Sequence, residues 1–512
     1  SVHVGFEHLY RWSDALVSTA PRVLFADQLG PHFDDGGPLI IPEVRTTFQK
    51  HSYHRQKAHL ILSALRHRIA ELGDRVEHIS AASYHEALAG KELSMINPTS
   101  RNLRLLVADL SQNSDIDVQP ARGFLTSEDD FGTWVTTQGT KRLLMENFYR
   151  DGRRATGILM EEAPSGGLEP AGGAYNFDKE NRNPPPKGVD TLGVPHAWSA
   201  VEDEIDREVR HYLDEWEASG DVAFIGSDGP RIFPATRAEA LEALEVFVTQ
   251  RLKTFGPTED AAMSADWAMS HSLLSPAMNL GLLHPREVID RAVEEFTAGR
   301  VDIASVEGFV RQVMGWREWV WHLYWHLGED FEQRNHFDHH TPLPAAFATL
   351  DPSEISSHCL SQVLGEVRER GWTHHINRLM VLGSWALQRQ IDPQALNQWF
   401  VNAFVDGTPW VMPANVIGMS QYADGGIVAT KPYTSGGAYI NTMTNYCKSC
   451  VFRPTIRVGE QACPLSAGYW AFLDREQESL RRNHRMFKPL AGLSRLADRE
   501  EVVAQEAVRE KY

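Results

Sequence analysis

Near residue 200 the hydrophobic pattern of this chain changes period. From Pro21 to about Phe124, short apolar runs (Val23-Leu24-Phe25-Ala26, Leu39-Ile40-Ile41, Leu103 to Val107) alternate with helix-like stretches. One such stretch runs from about His54 to Leu72, with Ala58, Ile61, Leu62, Leu65 and Ile69 at helical spacing. Strands that alternate with helices imply a parallel sheet covered on both faces, because each crossover lays a helix on the sheet. Beyond residue 200 strand patterns nearly vanish. Glu239 to Phe255, Ser305 to Leu327, Ser357 to Arg370, Arg378 to Leu387 and Pro393 to Phe404 all read as helices. Twelve of the fourteen Trp lie after residue 195. The expectation is a doubly wound α/β domain followed by a large, aromatic-rich, all-α domain.

Between them, residues 163–195 hold six Pro and six Gly, including Pro184-Pro185-Pro186, and read as a linker over the surface. Ala174-Tyr175-Asn176-Phe177-Asp178 puts aromatics in its middle, so it should pack on something. The expected division is an extension over 1–20, an α/β domain over 21–150, a linker over 151–200 and the helical domain over 201–512. No internal repeat is visible.

A length of 512 residues with 42% hydrophobic and 23% charged residues fits two or three folded domains with little disorder. No apolar run approaches the ~18 residues a membrane span needs, and the charged N-terminus does not read as a secretory signal. A soluble, cytoplasmic, monomeric protein without membrane association is expected. The net charge of −18, from 50 Lys and Arg against 68 Asp and Glu, disfavours coating nucleic acid by bulk attraction. A confined basic groove stays open, with Lys141-Arg142, Arg150 to Arg154 and Arg481 to Lys488 as its candidates, although such clusters are usually solvated faces.

Five motifs could carry chemistry. The only cysteines are Cys359, Cys447, Cys450 and Cys463. Four thiolates in this spacing suit zinc or an iron–sulfur cluster equally, with a structural staple as the plainest role. Ser270-His271-Ser272-Leu273-Leu274-Ser275 puts hydroxyls and a histidine at an expected helix start, where backbone N–H groups could hold a diphosphate or simply be capped by serine. His374-His375 with Arg378 places two imidazoles and a guanidinium within about one turn. Adjacent side chains on a helix diverge by about 100°, so one histidine can face a pocket and the other solvent. Asn415-Val416-Ile417-Gly418-Met419-Ser420 through Gly425-Gly426 to Tyr433 and Tyr439 is a Gly-rich, weakly charged loop whose aromatics could stack on a base. At the end of the first apolar run, Asp27-Gln28 falls where parallel sheets bind ligands, though a polar pair often just ends a strand.

Taken in order, these segments resemble the cryptochrome/photolyase superfamily, and within it the iron–sulfur bacterial branch that includes the prokaryotic (6-4) photolyases. The motifs are Ala26-Asp27-Gln28-Leu29, Gly172-Gly173-Ala174-Tyr175-Asn176-Phe177-Asp178-Lys179-Glu180-Asn181-Arg182, His271 to Ser275 and Glu307-Gly308-Phe309-Val310-Arg311-Gln312 with Gly315-Trp316-Arg317-Glu318. They continue with His374-His375-Ile376-Asn377-Arg378-Leu379-Met380, Asn415 to Gly426 and the four cysteines. The resemblance runs from about Val23 to about Arg485.

The resemblance implies FAD in the helical domain, a 4Fe–4S cluster on Cys359, Cys447, Cys450 and Cys463, and a 6,7-dimethyl-8-ribityllumazine antenna. Asp27, Gln28 and Glu43 would hold the lumazine. His271, Ser272, Leu273, Leu274 and Ser275 would contact FAD, and Gln312, Arg317, Arg378, Asp406 and Asn415 would line it. His374 and His375, with Met419, Tyr433 and Tyr439, would border a flipped-out dipyrimidine lesion of UV-damaged DNA, and Trp399 would pass electrons. A Mg2+ ion near Asp260 would aid repair. The chain departs from the family pattern at Tyr175, where Trp is frequent, and at Phe400, where a redox-active Tyr can stand. It also lacks an aromatic in Ala348-Thr349-Leu350-Asp351. The implied activity is light-driven repair of (6-4) photoproducts, with a cryptochrome-type photoreceptor as the alternative and a non-photoactive nucleic-acid-binding protein as a third reading.

Overall fold

A computed structural model of the chain describes residues 19–512, so residues 1–18 of the expected extension lie outside the described residues. Five parallel strands, β1 (Arg22–Val23), β2 (Leu39–Val44), β3 (Val76–Ala81), β4 (Leu93–Ile96) and β5 (Ile116–Gln119), stand in the order β3-β2-β1-β4-β5. Both faces of the central strands are buried. Val23, Phe25 and Ile40 pack with Leu88, Met95 and Val107, whereas Leu24, Leu39 and Ile41 pack toward Ala58, Leu62 and Leu65 of helix Arg55–Leu72. That helix starts on His54, whose Nδ1 accepts from the Gln56 N–H at 3.1 Å, and stops at Gly73 with φ 56°. Strand order reverses between β1 and β4, so their carboxyl ends open a crevice at the point where doubly wound sheets bind ligands.

The apolar run Leu103 to Val107 is not a strand. It lies in helix Arg101–Leu110, and Leu103, Leu106, Val107 and Leu110 repeat at helical intervals with their apolar side on the sheet. The strand of this region is Leu93–Ile96, four buried residues that a short window does not separate from its surroundings.

The segment after residue 200 is helical, as expected, but three stretches of it are π-helical: Arg311–Arg317, Asn377–Gly383 and Ala414–Ser420. A π turn adds a residue and shifts the phase of the helix that follows. The helices expected without a break over 305–327 and 378–387 are therefore interrupted. Arg311 and Glu318 are 3% and 1% exposed, while Trp316 is only half-buried. Arg311 is compensated by Glu307 at 2.8 Å and by Glu146.

The Pro- and Gly-rich segment is irregular apart from the hairpin Met160–Glu162/Leu168–Pro170, and it is pinned by its aromatic. The guanidinium groups of Arg150, Arg153 and Arg154 lie 5.4, 5.1 and 5.6 Å from the Tyr175 ring. Arg153 is fully buried and donates to the carbonyls of Ile158, Leu159 and Tyr175, whereas Arg150 and Arg154 stay exposed, so only the middle of this basic cluster leaves the solvated face. Arg142 likewise donates to the carbonyls of Gly426, Ile427 and Ala429. One large core runs from Leu24 of the sheet to Trp319 and Leu323 of the helical part, and no helix among the described residues is long and apolar enough to cross a membrane.

Candidate functional site

The turn at 268–275 is held from behind by Arg251, a cation that sequence reasoning missed. Buried at 2% exposure, it donates to the carbonyls of Pro195, Met269 and His271 at 2.8, 2.6 and 3.3 Å. Leu273 adopts φ 58°, and the Ser272 Oγ accepts from the Leu274 N–H at 3.3 Å. The helix that follows, Ser275–Asn279, has only five residues. It carries no side-chain cap, and Ser275 turns its hydroxyl to Asp406 at 2.7 Å. Asp406 takes both terminal nitrogens of Arg378, at 2.9 and 3.1 Å, and its carbonyl accepts from Asn279 at 3.1 Å. Arg378 also donates through Nε to the Thr373 carbonyl at 2.6 Å and lies 4.2 Å over the Phe404 ring. A two-point guanidinium–carboxylate pair fixes orientation as well as charge.

Lys57, on the helix that covers the sheet, reaches this pair from below. Its Nζ donates to the carbonyls of Val401 and Gly407, the latter at 2.6 Å, and sits 4.6 Å from the Tyr53 ring. Burial pulls its pKa down to about 7, against the opposing charge of Asp406. Only glycine fits at 407, since a Cβ there would lie 2.5 Å from the Phe400 carbonyl oxygen.

The histidine pair divides as expected. His374 is 2% exposed and stacks on buried His271, centroids 4.7 Å apart and planes 17° from parallel. Burial first, and the neighbouring imidazoles next, hold both well below the usual histidine range, so both are neutral. Nε2 of His271 and Nδ1 of His374 are buried without a hydrogen-bond partner. His375 is half-exposed, 47% at its side chain, and its Nε2 meets Asp260 Oδ1 at 3.2 Å. Arg182 lies 4.0 Å from Asp260, and burial together with the Asp260 charge pushes the Tyr439 hydroxyl up to about 12. Gln312 donates to Glu259 at 2.7 Å. Burial, then Asp260, Asp178 and Glu307, raise Glu259 well above the carboxylate range and keep it protonated.

Five expected residues stand apart from this group. Met419 packs on the cluster of Phe337, Leu387, Tyr422 and Phe472. Tyr433 is 37% exposed. Asn415 gives its amide N–H to the Val411 carbonyl at 2.8 Å. Trp399 gives its indole N–H to the Phe347 carbonyl at 2.8 Å and approaches Arg378 only across Phe404, 5.8 Å away. Arg317 lies at the seam with the sheet, donating to the Gly123 carbonyl at 3.1 Å beside the Phe124 and Trp410 rings.

At the β1–β4 crevice, Asp27 accepts from Thr99 through Oδ2 while its buried Oδ1 has no partner, and burial raises its pKa. Gln28 is spent on the backbone. Its Nε2 donates to the Ile96 carbonyl at 3.1 Å, and its Oε1 accepts from the Phe25 N–H at 3.3 Å. Glu43 is closed by Arg66 at 2.9 and 3.1 Å and by His78 at 3.4 Å; burial works upward, yet these partners hold its pKa at about 2. Of the three residues expected to hold an antenna, Asp27 has a buried oxygen without a partner, while Gln28 and Glu43 already carry protein partners.

The four cysteines converge. Cys359 from helix His358–Arg370, Cys447 and Cys450 from either end of the turn at Tyr446–Ser449, and Cys463 before helix Pro464–Leu480 line one pocket with Tyr446, Phe452 and Gly437. A Cβ on Gly437 would lie 2.8 Å from Cys463 Sγ. Burial first, then the neighbouring thiols, raise Cys359 well above the thiol range and push Cys447 up to about 12. Facing thiols of this kind ionise only around a cationic group. Among the described residues, two sets of three ligand atoms lie within 4.8 Å of one another, His271-His374-His375 and His67-Asp203-Asp206, and no cysteine belongs to either. Mg2+ is held through one or two carboxylates and waters, so it requires no such set at Asp260.

Comparison with known proteins adds what geometry does not. A family model described as deoxyribodipyrimidine photo-lyase-related protein matches residues 23–222. The (6-4) photolyase of Agrobacterium fabrum is 35% identical over 504 residues, covering 93% of this chain and 96% of the relative. In fold, the chain is similar to a bacterial class III photolyase from Agrobacterium tumefaciens (TM-score 0.53, 15% identity, 98% of this chain and 92% of that one). It is also similar to the cryptochrome of Synechocystis (TM-score 0.55, 13% identity, 84% and 87%). The parallel sheet, the helical region and this full-length match place the chain in the bacterial cryptochrome/photolyase family to which the Agrobacterium (6-4) photolyase belongs.

Proposed function

We propose that the chain repairs (6-4) pyrimidine–pyrimidone photoproducts in UV-damaged DNA in a light-driven reaction. The carrying observation is the divided histidine cluster, with neutral His271 and His374 stacked inside and half-exposed His375 tied to Asp260. FAD fits beside it. Two buried ring nitrogens lack partners, Ser275, Arg378 and Asp406 form one hydrogen-bonded group, and Ser272, Leu273 and Gln312 complete the set the family resemblance assigns to FAD. When bound and reduced, photoexcited FAD supplies the electron that opens the lesion, which must leave the duplex to reach it.

The protein's own residues then govern protons and position. Asp260 fixes the His375 ring, which gives a proton to the lesion as general acid. His271 and His374, kept neutral by burial, do not compete as acids. Tyr439, beside Asp260 and Arg182, borders the lesion, with Tyr433 and Met419 farther out along the same loop.

The four cysteines lining one pocket support a 4Fe–4S cluster, in keeping with the family resemblance. Asp27 fits one hydrogen bond to a lumazine antenna in the crevice, with Gln28 and Glu43 beside it able to add one each beyond their protein partners. The division into an antenna domain over 21–150, a linker over 151–200 and a FAD domain over 201–512 follows the same reading. DNA binding through a confined basic strip on a chain of net charge −18 would be steeply salt-dependent.

The test is repair of a (6-4)-containing oligonucleotide under blue light, with flavin read by absorbance. Wild type should restore the bases, and His375→Ala should keep its flavin and lose at least tenfold in repair. Normal repair by His375→Ala sinks the assignment, whereas flavin photoreduction without any wild-type repair moves the chain to the photoreceptor reading.

A further inference from the structure

A buried hydrogen-bond path joins the cysteine pocket to the histidine turn. Tyr446, which lines that pocket, donates to Asn377 Oδ1 at 3.2 Å. Asn377 donates to Thr373 Oγ1 at 2.9 Å, and Thr373 donates to Glu366 Oε2 at 2.7 Å. The other Glu366 oxygen accepts from Gln362 at 3.1 Å. Thr373 precedes His374, and its carbonyl receives Arg378 Nε. All four members are at most 3% exposed. The donors point one way, from Tyr446 toward Glu366.

Among the described residues no cation lies within ion-pair distance of Glu366. Arg370 on its own helix acts from farther off, and Tyr446 faces it from the cysteine side with Cys359 beyond. A carboxyl buried without a counter-ion holds its proton more tightly than in water, and burial lifts this one to about 7.

We propose that Glu366 is the positioning residue that couples the cysteine centre to the histidine turn, taking up one proton when that centre gains one electron. The proposal rests on the centre being a 4Fe–4S cluster. A one-electron reductant such as dithionite supplies the electron, the charge of the centre falls by one, and a solvent proton forms an O–H bond on the Glu366 carboxylate. Protonated Glu366 draws the Thr373 hydroxyl less strongly, because the bond is no longer charge-assisted, so the grip on the Thr373–Arg378 turn follows the charge of the centre.

The experiment is a dithionite titration of holoprotein across pH 5.5–8.5, followed by the paramagnetic signal of the reduced cluster. Wild type should show a reduction equilibrium that weakens toward tenfold per pH unit above neutrality, or ~59 mV. Glu366→Gln, with unchanged cluster content, should be flat. A reduced-minus-oxidised infrared spectrum of wild type should show a protonated carboxyl band, which keeps the test decisive if the variant does not fold. A pH-independent wild-type equilibrium, or a slope retained in Glu366→Gln, overturns the coupling. A protein with no cluster absorption and no paramagnetic signal overturns it differently, by removing the cluster itself.

Discussion

The crevice at the end of β1 and the histidine pocket are both buried and polar, yet they use their hydrogen bonds in opposite ways. In the crevice, Gln28 satisfies both ends of its amide on the backbone and Glu43 is closed by Arg66 and His78, leaving one free oxygen on Asp27. In the pocket, Arg378 and Asp406 saturate each other, but His271 and His374 each keep a buried ring nitrogen without a partner. Unpaired buried polar atoms cost about 1–3 kcal/mol each, so a fold that retains several beside one another is shaped for a ligand that pairs them. Polarity alone does not mark a site; unspent polarity does.

The strongest way to break this contrast is Arg378→Ala. It leaves Asp406 buried against little more than the Ser275 hydroxyl, and removing one partner of such a pair costs about 3–5 kcal/mol. Flavin should be lost on purification and the thermal midpoint should fall; a variant that keeps its flavin would show that the pair does not frame the cofactor.

A second test sits on the seam between the two regions. Glu318 accepts from the Leu125 and Thr126 N–H groups, and burial raises its pKa to about 7. The folded state therefore binds more protons than the unfolded one between the ordinary carboxylate range and pH 7. Its contribution is fully present at the acid end of that window and is lost as pH rises through 7, by at most about 3 kcal/mol. Glu318→Gln should gain on wild type in urea midpoint between pH 5 and pH 8, and a constant difference would show that Glu318 stays ionised throughout.

The smallest effect belongs to Gln28→Ala, which removes two neutral hydrogen bonds and should cost about 1–3 kcal/mol without changing flavin content. Flavin loss in this variant would mean that the crevice and the pocket are not separate.

Sequence periodicity carried the helix over 55–72 and the first two strands, because each depends on spacing along one element, while the burial of His374 against the exposure of His375 and the gathering of the cysteines were legible from their residue types. It misassigned Leu103 to Val107, where a five-residue apolar run fits a strand as well as a helix. Lys57 was illegible for another reason. It stands in Arg55-Gln56-Lys57, which reads as a solvated helix start, and only the distant 401–407 segment buries it. Glu366 and Arg251 were missed likewise, since nothing local distinguishes a charge that the fold will cover.

The three π-helical stretches each contain expected site residues: Gln312 and Arg317, Arg378, and Asn415 with Met419. Each works as a counter of chain length. Remove one residue from such a stretch and the helix can close into ordinary α form with the helix beyond it in place, so that the side chains within the stretch are the ones re-aimed. Around this pocket the chain can exchange one side chain for another far more readily than it can lose a link.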